Sequence, residues 1–128
     1  MTDLAELIER LENGFDADRE LDALVYCAAD SEFTPHVNGM IQEVGGAHQI
    51  SVAPRFTDKL DETFFLLGWA VKDWEWETTN LYGVSRVTLY VEQEGPFYGS
   101  CEAGEEPSRT CRALLAALLR ALQAKADQ

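Results

Sequence analysis

His36 and His48, the thiols of Cys27, Cys101 and Cys111, and 23 acidic side chains are the groups in this sequence that could do chemistry. Both histidines fall in one Gly- and Pro-containing stretch. Either could work with a carboxylate as a general acid–base pair, which makes a small hydrolase-like enzyme the alternative reading of the chain. A metal site needs close pairs of Cys, His or carboxylate ligands. The spacing of His36, His48, Cys101 and Cys111 matches neither a CxxC nor an HExxH pattern, so no metal or other cofactor is expected. Cys27 sits beside Val25 and Ala28 in an apolar stretch of helix, which predicts a buried, inert thiol rather than a nucleophile. No GxSxG elbow, phosphate-binding loop or GxGxxG motif occurs. Asp58, Asp61 and Glu62 crowd one short helix, where a solvated first turn favoured by the helix dipole accounts for them as well as acid–base work does.

Binding chemistry is better represented than catalytic chemistry. Trp74, Trp76, Tyr90, Tyr98 and Arg86 fall in strand-like stretches and are expected to share one sheet face. Aromatics beside an arginine can stack a flat ligand or anchor a protein partner. The competing reading places the tryptophans in the core. Any anionic ligand would need a local cation, for which Arg55, Arg86 and Arg109 are the candidates, because the chain carries a formal charge of −13.

That charge narrows the partners. With 23 acids against 10 bases there is no basic stripe to displace phosphate counterions, so neither a nucleic-acid polymer nor an anionic membrane is an expected partner. Hydrophobic residues make up 46% of 128 residues, ordinary for one globular domain spanning 1–128. No apolar run reaches bilayer-spanning length, and Met1–Asn13 lacks the basic n-region of a secretory signal. With an odd cysteine count and no short pairing, these features predict reduced thiols and a cytoplasmic location.

The elements that would position these groups follow from periodicity. Leu4, Leu7, Ile8 and Leu11 lie at helical spacing behind Asp3, and Asn13-Gly14 ends that helix. A second helix carries Leu21, Leu24, Val25 and Ala28, capped by Asp16 or Asp18. Residues 31–54 form an irregular, loop-rich segment with a short strand near Ile50–Ala53. Thr57 or Asp58 is expected to cap a third helix bearing Leu60, Phe64 and Leu67, with Gly68 as its left-handed terminator. The period then changes to two, with Trp69 and Val71 on a strand and a turn or bulge near Lys72-Asp73. Val87, Leu89 and Val91 face inward, as do Phe97, Gly99 and Cys101, and Glu94-Gly95-Pro96 reads as the hairpin turn between them. Pro107 opens a closing helix with the stripe Cys111, Leu114, Leu115, Leu118 and Leu122, and with Arg109, Arg112 and Arg120 on its flanks. The order predicts an α+β fold with an antiparallel sheet of three or four strands.

Three stretches resemble a known family. Asp18-Arg19-Glu20-Leu21-Asp22-Ala23 is similar to an opening helix motif of small phage- and prophage-encoded proteins. Pro54-Arg55-Phe56-Thr57-Asp58-Lys59-Leu60-Asp61 resembles their P-x-[YF]-[TS]-x-x-[LI]-D signature, followed by Trp69. The segment from Pro107 to Arg120 resembles their Ala-rich closing helix. The family is the phage ABA sandwich domain, and the resemblance implies a three-layer helix–sheet–helix sandwich and a phage setting, with no established activity. Lys59 and Glu62 depart from the Ser and Ala usual around the signature Asp. Taken together, these features predict a phage or prophage accessory protein acting as a non-catalytic binding module. Its ligand would be a small molecule, such as a nucleotide immune signal, or a host protein, held by the loop around His36 and His48, by the sheet-face aromatics, or by both.

Overall fold

The Ala- and Leu-rich segment forms the longest helix, and the rest of the chain is arranged around it. In the computed structural model, which describes residues 3–45 and 49–127, this helix is α4 (Ser108–Ala126). All residues from Thr110 to Leu119 are buried. An amphipathic surface helix would bury one stripe; α4 buries its whole circumference because it is packed from two sides. On one side lies an antiparallel sheet of β4 (Trp74–Leu81), β5 (Val84–Val91) and β6 (Glu94–Cys101), in that order. On the other lie α1 (Leu4–Asn13) and α3 (Leu60–Ala70), with α2 (Arg19–Ala29) against α1.

The contact between α4 and the sheet is close because both surfaces are small. Ala113, Ala116 and Ala117 are fully buried, and Gly99 of β6 sits against the helix backbone: a Cβ at Gly99 would collide with the Ala113 carbonyl oxygen and lie 2.8 Å from the Ala117 nitrogen. Leu114, Leu115, Leu118 and Leu119 fill the remaining core with Leu7, Leu11, Phe56, Leu66, Val87 and Leu89.

Residues 31–54, expected as loop, hold a second small sheet. β1 (Phe33–His36), β2 (Met40–Glu43) and β3 (Ile50–Val52) pair antiparallel in chain order, with one 3₁₀ turn at Val37–Gly39. The short strand expected near Ile50 is β3. Pro35 is tolerated because β1 is an edge strand, where a missing N–H need not break a ladder. This sheet packs on α2 through Ala23 and Ile41, with Tyr26 edge-on to Phe33 at 5.2 Å.

Several expected boundaries move. Gly68 lies inside α3, which continues through Trp69 to Ala70, so Trp69 is helical rather than the start of a strand. Neither Thr57 nor Asp58 caps α3: Lys59 precedes its first turn without a side-chain cap. Thr57 is instead buried against α2, accepting the Asp18 N–H and donating its own N–H to Asp22 Oδ1, each at 2.8 Å. Of the two candidate caps for α2, Asp18 takes the role, accepting the Leu21 N–H at 3.1 Å. The turn near Lys72-Asp73 is present, with Asp73 at φ 48. The β5–β6 turn falls at Glu92-Gln93, ahead of the expected Glu94-Gly95-Pro96, and both turn residues adopt the positive φ of a tight two-residue hairpin.

The flank expected for Arg112 is also wrong. Its side chain is 2% exposed and donates to the carbonyls of Asp16 at 2.9 Å, Arg10 at 3.0 Å, Leu11 at 3.1 Å and Phe15 at 3.2 Å. These carbonyls close α1 and the turn after it, where the helix leaves acceptors without internal partners and concentrates negative partial charge. Arg112 thus locks the end of α1 onto α4.

Two further carboxylates tie elements together and make stability depend on pH. Burial alone would raise the Glu12 carboxyl, but bonds from Arg120 at 2.7 Å and from the Ser100 N–H at 2.9 Å outweigh it, and its pKa falls below the ordinary value. Glu106 behaves likewise: burial opposes, while the Thr110 side chain and N–H and the Ser85 hydroxyl prevail. Asp22 runs the other way, because complete burial raises it despite Thr57 and Arg19. Glu12 and Glu106 bind protons less readily folded than unfolded. Their contribution is complete above the ordinary glutamate value of about 4.3 and is lost as pH falls through their lowered values, while protonation of Asp22 partly offsets that loss. Urea titrations between neutral pH and pH 3 should therefore show stability falling on the acid side. Glu12→Gln should flatten that fall; an unchanged slope would count against the Arg120 and Ser100 contacts.

Candidate functional site

The strand ladder sorts the expected binding residues onto two opposite faces. Trp74 pairs with Val91, Trp76 with Leu89 and Thr78 with Val87, so the tryptophans share the core face. There both are half-buried, and Phe64 of α3 lies 5.8 Å from Trp74 and 5.3 Å from Trp76. Arg86 pairs with Thr79 and Ser100, Thr88 with Glu77 and Tyr98, and Tyr90 with Glu75, which places these residues on the other face. The expectation of one shared aromatic face is corrected: two tyrosines and Arg86 face outward, and two tryptophans face the helices.

The outer face is open. Tyr98 is 59% exposed and Tyr90 39%, and Arg86, Glu75, Glu77 and Thr79 are exposed as well. No element among the described residues covers it. The layers on this side of the molecule therefore run from solvent to sheet to α4, rather than helix, sheet, helix.

Arg86, Thr88 and Tyr98 meet in a shallow cleft of about 740 Å³ that runs toward Glu12, Ser100 and Arg120. Cross-strand neighbours on one face stand within reach of each other, and diagonal ones within reach of long side chains, so Arg86 and Tyr98 can contact one ligand together. Glu12 and Arg120 are paired at 2.7 Å, and Arg86 makes no ion pair among the described residues. With Glu77 at the rim, the two arginines face two carboxylates, and no net positive charge collects in the cleft.

The remaining candidates lie elsewhere. Arg55 holds Asp58 at 2.5 Å, and Arg109 donates to the Gly83 carbonyl and lies 3.6 Å from Glu106, so both expected cations are already engaged. His36 is exposed on β1, in a cleft of about 870 Å³ with Arg19, Glu20 and Asn38, apart from the outer sheet face. It has no carboxylate partner among the described residues. His48 lies outside the described residues.

Within the Asp58, Asp61 and Glu62 group, Asp58 is bound to Arg55 and Glu62 accepts the Arg55 N–H, leaving Asp61 solvated. The cysteines are free, and burial, with Asp30 nearby, pushes the Cys27 thiol up to about 11. Burial likewise lifts Cys111 to about 11. Neither is a ready nucleophile at neutral pH. Among the described residues no three His, Cys, Asp or Glu side chains form a group that could hold a metal ion, and no helix is long and apolar enough to cross a membrane.

Two features leave no mark in the sequence pattern. Arg19 pairs with Asp22 one turn along α2 at 2.6 Å, donates to the Ala53 carbonyl just after β3, and lines the cleft that holds His36. Phe65 and Trp69, one turn apart on α3, are 69% and 40% exposed; read as a strand, Trp69 could not be paired with Phe65. Comparison of the chain with family models, with curated proteins and with solved structures returns no match.

Proposed function

We propose that this chain is a non-catalytic binding module that engages a partner through the outer face of its β4–β6 sheet. The observation that carries this reading is the position of Arg86, Tyr90 and Tyr98 on a face that contributes nothing to the core. Large aromatics give contact energy at low entropic cost, and an exposed arginine adds directional hydrogen bonds. The cleft on this face is broad and shallow and collects no net positive charge, and Glu75 adds a further carboxylate beside it, which favours a protein surface over an anionic nucleotide. A phage or prophage accessory role in a host cell belongs to the same proposal and rests on the three sequence motifs. In that setting the bound protein supplies the outer layer that a helix–sheet–helix sandwich requires.

The test separates binding from folding. Arg86→Ala and Tyr98→Ala should each leave Tm within about 2 °C of the parent, since exposed substitutions change stability by roughly half a kcal/mol or less. Each should strip the partner that co-purifies with the parent chain, read by native mass spectrometry. Retention of the partner by both variants would contradict the proposal.

A further inference from the structure

We infer that the free edge of β4 receives an extended segment of the partner as a fourth strand, and that this segment alternates basic and apolar residues. The inference rests on the reading of the chain as a binding module and adds the mode and chemistry of recognition. β4 is an edge of its sheet, whereas the other edge, β6, is covered where Glu12 accepts the Ser100 N–H. The two-residue turn at Tyr82-Gly83 closes the Leu81–Val84 pair, which makes it a hydrogen-bonded pair. Hydrogen-bonded and open pairs then alternate, so Trp74, Trp76, Thr78 and Asn80 direct their N–H and C=O groups away from β5. No other backbone group among the described residues bonds to them.

An unpaired edge of this length is a template for another strand. The side chains along it state what that strand would carry. Glu75 and Glu77 stand on the outer face of β4, and the strand holds no basic residue. Trp74 and Trp76 alternate with them on the inner face, each half-buried and in ring contact with Phe64. A docked strand would set one side-chain row beside two carboxylates and the other beside two indoles, which selects Lys or Arg in the first row and apolar residues in the second. The net charge of −13 steers a basic segment toward the chain. A second copy is a poor occupant, because edge-to-edge pairing would bring four glutamates onto one new sheet.

Selection of displayed random peptides of about ten residues on the full chain should enrich sequences that alternate Lys or Arg with Val, Ile, Leu or aromatic residues. The tightest such peptide, remade with N-methyl groups on alternate backbone nitrogens, should bind about tenfold weaker in one phase and unchanged in the other, because only one set of N–H groups faces β4. Thr78→Pro should abolish binding while Thr78→Ala retains it, since the Thr78 N–H points away from the β4–β5 ladder. Should the proline variant fail to fold, the methylation phases on the parent chain decide alone. No enriched sequence, enrichment without alternation, or equal binding in both phases would overturn the inference. So would a dimer that Thr78→Pro dissolves, which would assign the edge to a second copy. Peptide binding lost in Arg86→Ala and Tyr98→Ala but kept in Thr78→Pro would sink the edge and leave the face reading standing. Loss in Thr78→Pro alone would do the reverse.

Discussion

Replacing Gly99 with alanine should destabilise the protein by about 3 kcal/mol and lower Tm by on the order of 10 °C. In an open strand interior the same change is stabilising by roughly 0.5–1 kcal/mol, because glycine loses more conformational freedom on folding than alanine does. The sign reverses here because the added methyl has no space: the Ala113 carbonyl and the Ala117 nitrogen of α4 occupy it. Relief would require β6 to separate from the helix along one of the most extensive contacts in the fold. Gly68 supplies the control. It is exposed inside α3, with nothing within 4 Å of the place an alanine methyl would take, so Gly68→Ala should stabilise by roughly 0.5–1 kcal/mol. Urea denaturation of both variants checks the pair; two changes of the same sign would contradict either the close helix–sheet contact or the helical placement of Gly68.

Arg112→Ala should cost about 3–5 kcal/mol, comparable to breaking a buried ion pair. The change removes a buried guanidinium, takes this donor from the Leu11, Phe15 and Asp16 carbonyls, and leaves the Arg10 carbonyl with the Gly14 N–H alone. Arg112→Lys should recover little, because a single ammonium cannot span acceptors on both sides of the α1 terminus as the planar fork does. Gly14 fits this arrangement, since a Cβ there would lie 2.6 Å from the guanidinium. A loss below about 1 kcal/mol in Arg112→Ala, or full rescue by lysine, would show that the latch carries little of the stability.

What the sequence made legible follows from how local each signal is. The inward rows Val87–Leu89–Val91 and Phe97–Gly99–Cys101 and the stripe of α4 repeat within one element, and each falls where its period puts it. The capping roles of Asp3 and Asp18 are equally local. The face of Trp74 and Trp76 is not. It depends on the length of the Tyr82-Gly83 turn, and one residue more or fewer would transfer the whole of β4's alternation to the opposite face. The small sheet escaped detection because its strands are three or four residues long, too short for an alternation to stand out, and one contains a proline. Arg112 sits where a helical wheel marks a flank, and its burial comes from α1, about a hundred residues away in the chain. Of the candidate site, Arg86, Tyr90 and Tyr98 were found from the sequence. Glu75 and Glu77 went unnoticed because acids are common throughout this chain.

The claim that the outer sheet face is the binding surface is tested most directly by photo-crosslinking in cells that make the protein. p-Benzoylphenylalanine would replace Tyr98 or Tyr90 on that face, with Phe65 of α3 and Asn38 beside His36 as comparison positions. Intact-mass analysis separates an attached small molecule from an attached protein. A protein adduct is expected from Tyr98 and Tyr90 and none from the comparison positions. Adducts confined to Phe65 or Asn38, with the Tyr98 and Tyr90 positions silent, would contradict it.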